Sequence, residues 1–342
     1  MKYGLHGVNL HTCAYPDAAA RLGRAAEAAG FDSLWVADHV VLPDPPLPER
    51  PMPADQRLLD PIVALTFLAA HTTRILLGTG VIILPQRQAL VLAKQLASLD
   101  VLSNGRVVFG LGVGWCEPEM RSVGASFADR GRIADEYLAA MRAMWTQPKP
   151  SFKGRFVSFE GVQAMPRPVQ TPTPKIVVGG LNEGMLRLAG EVADGVLLNY
   201  LPASHVPWSV EQVRKGGDAT IYSYVHVGVC DREAFIPLAR RDLFSYATVD
   251  SYANNFTRAG YGDAVEDIRA RHAAKDREGA VAAVSDEMVD GIDIMGDHDG
   301  VAAAMKAYVD AGVDSPIVMP LPWGKDRMAI VQATLEAAKD GV

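Results

Sequence analysis

The chain has 342 residues, 49% of them apolar and 21% charged, the profile of a folded, enzyme-sized protein and not of a disordered or collagen-like one. Lys and Arg number 33 against 40 Asp and Glu; the formal net charge of -7 gives no bulk attraction to a phosphate backbone, so nucleic acid is not an expected partner. Three scattered cysteines, Cys13, Cys116 and Cys230, make neither a disulfide framework nor a thiolate metal site.

In chain order, a first strand is expected over Tyr3–Leu10. A helix-period stretch (Ala19, Leu22, Ala26, Ala29) stops at Gly30 and leads into the apolar strand Leu34–Val36. A helix over Ile62–Ala70 precedes a third strand, Ile75–Leu84; a helix bearing Leu92, Leu96 and Leu99 precedes a fourth, Val107–Leu111. After a helix with Ile133, Tyr137, Ala140 and Met144 on one face, strands are expected at Lys175–Val178, Gly195–Asn199, Tyr222–Val229 and Pro316–Met319. Eight strands in this alternation point to a closed (β/α)8 TIM barrel, an α/β fold. The echo between Ala29-Gly30-Phe31-Asp32-Ser33 and Ala311-Gly312-Val313-Asp314-Ser315, each joining a helix end to a strand start, agrees with that count. An open doubly wound sheet is the structural alternative, but its glycine-rich first turn is missing: Asn9-Leu10-His11-Thr12-Cys13 stands there.

Length alone allows two domains, yet a barrel with insertions reaches the same size, so residues 1–342 are read as one domain with insertions at about 43–58, 147–174 and 231–290. The first holds Pro43, Pro45, Pro46, Pro48, Pro51 and Pro53, a stiff loop expected to cover the barrel mouth. The second carries a hairpin-like stretch, Phe156–Val162, on the opposite face; the third is polar and helical. The N-terminal residues lack an apolar run with a cleavage site, and the strongest apolar segment, Ile75–Leu84, is too short to cross a bilayer, so a cytoplasmic, membrane-free location is expected.

Barrel chemistry is sought at strand C-termini. There the sequence places Asn9 and His11, Asp38 and His39, Gly78-Thr79-Gly80-Val81, Gly110 to Trp115, Gly179-Gly180 ahead of Asn182, and Asn199-Tyr200. Glycines at three of these ends would let a flat ligand approach the backbone, and Gly179-Gly180 before a helix N-cap offers amides to a phosphate. His39 is the sharper candidate, an imidazole at the mouth able to exchange a proton near neutral pH. Adjacent strand residues point to opposite sides, so a direct Asp38–His39 couple is not implied. No metal is expected: the first strand has no His-x-His, and no carboxylate follows in ligand-like spacing. The G-x-S-x-G elbow, the phosphate-binding P-loop and a recognisable glycosidase carboxylate pair are absent as well.

Several runs together resemble the luciferase-like monooxygenase superfamily, and more narrowly its coenzyme F420-dependent oxidoreductases. They are Ala29 to His39, Leu77-Gly78-Thr79-Gly80-Val81 with Leu84-Pro85-Gln86-Arg87, Lys94 to Asp100, Gly112-Val113-Gly114-Trp115 and Val177-Val178-Gly179-Gly180. The resemblance is dense to about residue 200 and resumes at Met295-Gly296-Asp297. It implies a deazaflavin in the C-terminal mouth of the barrel, with Asp38 and His39 near the reactive ring as catalytic and cofactor-binding residues. Thr79, Gly80 and Val81 would lie behind the ring, with Gly80-Val81 a bulge with a non-prolyl cis peptide. Gly112, Val113, Gly114 and Trp115 would lie beside the ring, and Gly179 and Gly180 at the phosphate tail. His11 and Trp115 would shape the substrate pocket. The activity implied is hydride transfer between F420 and a small organic substrate, in a protein expected to dimerise. One departure matters. Relatives that oxidise sugar phosphates or secondary alcohols carry a Glu shortly after the fourth strand, where this chain has Trp115 with Glu117 two residues on, so sugar phosphate oxidation is not implied. The alternatives are an FMN-dependent monooxygenase of the same fold, needing a reductase partner and oxygen, and a non-catalytic flavin- or deazaflavin-binding barrel.

Overall fold

The computed structural model describes residues 2–47 and 52–342, over which eight parallel strands alternate with helices and close into a (β/α)8 barrel. The barrel strands are β1 (Gly4–His6), β2 (Ser33–Val36), β3 (Leu76–Thr79), β4 (Val107–Gly112), β5 (Lys175–Gly179), β6 (Gly195–Leu198), β7 (Thr220–Val229) and β8 (Ser315–Pro320). Strands β2, β4 and β6 are buried at every residue, as expected of a parallel sheet covered on both faces. Gly30 and Gly312, the matched positions of the sequence echo, have φ of 96° and 108°, the left-handed conformation that ends a helix and that only glycine adopts without strain.

Three expected elements differ in detail. The first strand stops at His6 because Gly7 takes φ 87° and sends its N–H to the Trp35 carbonyl at 3.0 Å. The third is interrupted: Gly78 pairs with Val108 and Ile82 with Leu111, four residues advancing against three, so a one-residue bulge separates β3 from the short strand Ile82–Ile83. The Gly80–Val81 peptide inside that bulge is cis. The hairpin lies earlier than expected. Phe152–Lys153 pairs antiparallel with Ser158–Phe159, and Phe156 and Val157 fall in the turn that Gly154 closes with its N–H on the Val157 carbonyl.

Two compact units divide the chain. One comprises residues 7–45 and 53–179; the other takes the described residues of 1–6, 46–52 and 180–342. In the first, the indole of Trp35 is fully buried, and Trp35 pairs with Gly78 across the sheet. Its Nε1 donates to Ser33 at 2.8 Å, and a Cβ on Gly78 would sit 2.6 Å from the ring, so that glycine makes room for tryptophan. The second unit contains a cluster built on Leu243, Phe244, Phe256, Ile268 and Met288. Those residues belong to the 231–290 insertion, which forms the helices Arg232–Ala247, Asp250–Phe256, Gly262–Ala273, Arg277–Ala282 and Asp286–Ile292. Of the proline loop, Pro48 and Pro51 lie outside the described residues; Leu58 in its last turn bridges Leu10. No helix among the described residues is long and apolar enough to cross a membrane.

Candidate functional site

In the unit of residues 7–45 and 53–179, the ends of the early strands are tied by a buried amide. Asn9 donates to the carbonyls of Ala37 at 2.9 Å and Leu59 at 2.8 Å, and accepts from the Ala37 N–H at 3.0 Å. That fixes the backbone where Asp38 and His39 begin. The two then diverge, as strand alternation requires. Asp38 is buried; it accepts from the Ile83 N–H at 3.0 Å and from the Arg87 guanidinium, which also reaches Asp60 at 3.0 Å. Asp60 in turn caps the helix Pro61–Ala69 through the N–H groups of Ile62 and Val63. Burial pushes the Asp38 carboxyl up, opposed by the Arg87 charge and the Ile83 hydrogen bond. Asp38 therefore anchors the bulge to the strand end.

His39 finds a different carboxylate. Its Nδ1 lies 2.8 Å from Oε2 of Glu119, whose side chain is fully buried and whose Oε1 accepts from the Val40 N–H at 2.7 Å. An ionised carboxylate accepts only, so Nδ1 carries hydrogen and Nε2 of the neutral ring keeps its lone pair. With its side chain 12% exposed and the Trp115 ring edge-on at 6.1 Å, His39 is arranged to take or return a proton through Nε2.

Among the other expected residues, Val81 packs beside Gly112 and Gly179, where added Cβ atoms would meet it at 2.8 Å and 3.5 Å. A Cβ on Gly110 would fall 1.9 Å from the Thr79 carbonyl oxygen, and one on Gly114, at φ 81°, 2.6 Å from Ile83. Close packing against the bulge accounts for Gly110, Gly112 and Gly114 without a ligand, whereas at Gly179 a Cβ would make only ordinary contact. Thr79 is fully buried and its hydroxyl donates to the Gly110 carbonyl at 2.7 Å. His11 stands exposed in the short turn His11–Cys13 with φ 47°.

Sequence reasoning missed Glu119, Arg87 and Asp60. Two acids straddle Pro118 at the start of the helix Glu117–Ser122; residues two apart on a helix face away from each other, and it is Glu119 that turns inward while Glu117 is exposed. The acid pair was visible, its orientation was not.

In the other unit, Gly180 does not leave its amide free: the N–H donates to the Leu197 carbonyl at 3.3 Å. Asn182 occupies the N-cap position of the helix Glu183–Val192 but makes no capping bond; its Oδ1 accepts from Arg258 at 2.9 Å, and Arg258 also reaches the Leu181 carbonyl at 3.0 Å. A Cβ on Gly184 would meet nothing within 4 Å. An uncapped helix start with open space and a guanidinium beside it fits an anionic group.

A family model described as luciferase-like monooxygenase matches residues 4–315. An uncharacterised protein of Mycobacterium tuberculosis is 37% identical over 203 residues, covering 57% of this chain and 71% of its own. The 5,10-methylenetetrahydromethanopterin reductase of Methanolobus tindarius is 28% identical over 318 residues, covering 90% and 91%. Among solved structures, the coenzyme F420-dependent tetrahydromethanopterin reductase of Methanopyrus kandleri superposes with a TM-score of 0.71 at 20% identity, covering 100% of this chain and 98% of the other. An FMN-bound Baeyer–Villiger monooxygenase component of Pseudomonas putida gives 0.69 at 16%, covering 100% and 98%. These structural likenesses speak for the fold; their cofactors differ.

Proposed function

Because the chain belongs to the luciferase-like monooxygenase family, we propose that it is an oxidoreductase transferring a hydride between coenzyme F420 and a small organic substrate. The observation that carries this reading is the His39–Glu119 couple, which leaves Nε2 of a partly exposed imidazole available for a proton. Hydride addition to or removal from an organic substrate is completed by one proton, and a positioned imidazole supplies that step. The relative from Methanolobus tindarius, matched along nine-tenths of both chains, is a reductase by its name and supports the same reading.

A bound deazaflavin supplies the hydride donor or acceptor. Glu119 holds His39 in one tautomer; His39 moves the proton through Nε2; Trp115 narrows the space beside it and excludes water, with His11 a further pocket residue. Asp38 holds the bulge of Gly80 and Val81 through Ile83 and Arg87, keeping that backbone in place for a flat ring, with Gly112, Val113 and Gly114 beside it. The uncapped start of the helix after Gly179 and Gly180 would hold an anionic group, with Arg258 as its charge partner. In the same reading residues 1–342 act as one domain in a cytoplasmic homodimer, and a monomeric mass in solution would overturn the dimer.

His39→Ala tests the proposal. Affinity for F420 should stay within about tenfold, while turnover falls at least about 100-fold. Unchanged turnover removes His39 from the mechanism. FMN is the second reading, favoured by the FMN-bound structural neighbour; tighter binding of FMN than of F420 would select it.

A further inference from the structure

Strand β7, the short strand Asp293–Gly296 and the helix Arg232–Ala247 bring a buried imidazole and two carboxylates together. His226 is 2% exposed and Asp293 fully buried. Nε2 of His226 lies 2.9 Å from Oδ1 of Asn199, and the same Oδ1 accepts from the Tyr200 N–H at 2.9 Å. The backbone donor fixes that atom as oxygen, so Nε2 must be the N–H of the ring. A neutral imidazole then turns its Nδ1 lone pair toward Oδ1 of Asp293, 3.0 Å away. Two lone pairs hold that distance only with a positive charge between them, a proton or a metal cation. One proton satisfies Nδ1 and Oδ1 and nothing else. It leaves Oδ2 of Asp293, buried and without a hydrogen-bond partner, bare. The half-buried Asp242 offers an oxygen within 4.8 Å of the other two ligand atoms.

From this juxtaposition of the His226 imidazole with the carboxylates of Asp293 and Asp242, we propose a binding site for a divalent first-row transition-metal ion of the zinc or manganese type. Two bonds of about 2.1 Å separate their ligand atoms by about 3.0 Å at the right angle of an octahedral ion and by about 3.4 Å at the tetrahedral angle of zinc, and the His226–Asp293 contact of 3.0 Å matches the first. The Nε2–H bond to Asn199 is the outer hydrogen bond that orients a metal-ligating imidazole and fixes its tautomer. Tyr200 adds a second brace: its hydroxyl donates to Asp242 at 2.8 Å from a backbone held at φ 50°. The imidazole suits zinc and the two carboxylates suit manganese, while a nitrogen ligand disfavours the oxygen-seeking calcium and magnesium. The ion would fasten the helix Arg232–Ala247 to β7 and to the short strand Asp293–Gly296, with no part in hydride transfer. The three ligands lie far apart in sequence and show no ligand spacing, which is why the sequence gives no sign of a metal.

The test is calorimetric titration of chelator-stripped protein with zinc chloride and, separately, manganese chloride. One ion per chain is expected. Asp293→Asn should abolish binding and Asp242→Asn weaken it by roughly tenfold or more, while His298→Ala, on the surface, leaves the stoichiometry unchanged. If Asp293→Asn fails to fold, Asp242→Asn decides. The proposal is overturned if the native protein shows no saturable binding, or if neither carboxylate substitution changes the affinity. An infrared signal from a neutral carboxyl that vanishes in Asp293→Asn and ignores added metal would likewise overturn it, assigning the gap to a proton.

Discussion

Replacing Glu119 by Gln should reverse the tautomer of His39. The native carboxylate accepts twice, from His39 Nδ1–H at 2.8 Å and from the Val40 N–H at 2.7 Å, inside a site where the glutamate side chain has no exposure. A glutamine has one acceptor oxygen. Val40 can only donate, so that oxygen stays with Val40 and the amide NH2 turns to Nδ1, which must now accept. The ring hydrogen moves to Nε2, and the lone pair needed for proton uptake is lost. A charge-assisted hydrogen bond becomes a neutral one, costing about 1–2 kcal/mol of folding stability, whereas the loss of a positioned acid–base group slows turnover by about 100- to 10,000-fold. Nitrogen-15 NMR of the imidazole reports the tautomer without any substrate, and single-turnover absorbance of F420 reports the rate. Hydrogen still on Nδ1 in Glu119→Gln would refute the geometric argument. A switched tautomer with a native rate would refute the role of His39.

Three further outcomes are expected. Arg87→Ala leaves a buried carboxylate unpaired and should cost about 3 kcal/mol or more in urea unfolding, most of it recovered when Asp38→Asn is added; equal losses in the single and double variants would show that Asp38 does not need its partner. Gly110→Ala drives a Cβ into the Thr79 carbonyl and should lose about 1–3 kcal/mol or more, whereas Gly184→Ala meets nothing and should stay within about 1 kcal/mol of native; the reverse order would mean that the packing around the bulge yields easily. Burial, helped by nearby His226, lowers the pKa of His6 from 6.5 to about 3, so the unfolded chain takes up this proton first as pH falls. The stability held by neutral His6 is complete above about pH 6.5 and drains away toward pH 3, by about 4–5 kcal/mol in all. His6→Phe should flatten that part of the stability curve, and an unaltered slope would contradict the assignment.

The barrel was legible because its strands are short apolar runs separated by helix-period segments, a pattern that survives without any contact information. Strand ends were less so. Gly7 and the Gly80–Val81 bulge shorten two strands through backbone conformation, which apolar runs such as Ile75–Leu84 conceal. At the site, Asp38 and His39 stood out by position, but their partners did not. Arg87 lies 49 residues from Asp38 and Glu119 80 from His39, and no local periodicity links residues so far apart. The glycines were visible as a group while their cause was not: Gly78 yields space to Trp35 and Gly112 to Val81, packing reasons that a sequence cannot separate from ligand approach. His226 and Asp293 are invisible for the same reason, being 67 residues apart, His226 in an expected core strand and Asp293 in a short strand that the apolar pattern does not reveal.

Equilibrium titration of the apoprotein with F420 and with FMN, each followed by its own absorbance or fluorescence, reaches the centre of this account. One F420 per chain is expected, bound at least about 100-fold more tightly than FMN, a difference of about 2.7 kcal/mol. Tighter binding of FMN, or saturation by neither compound, would contradict it.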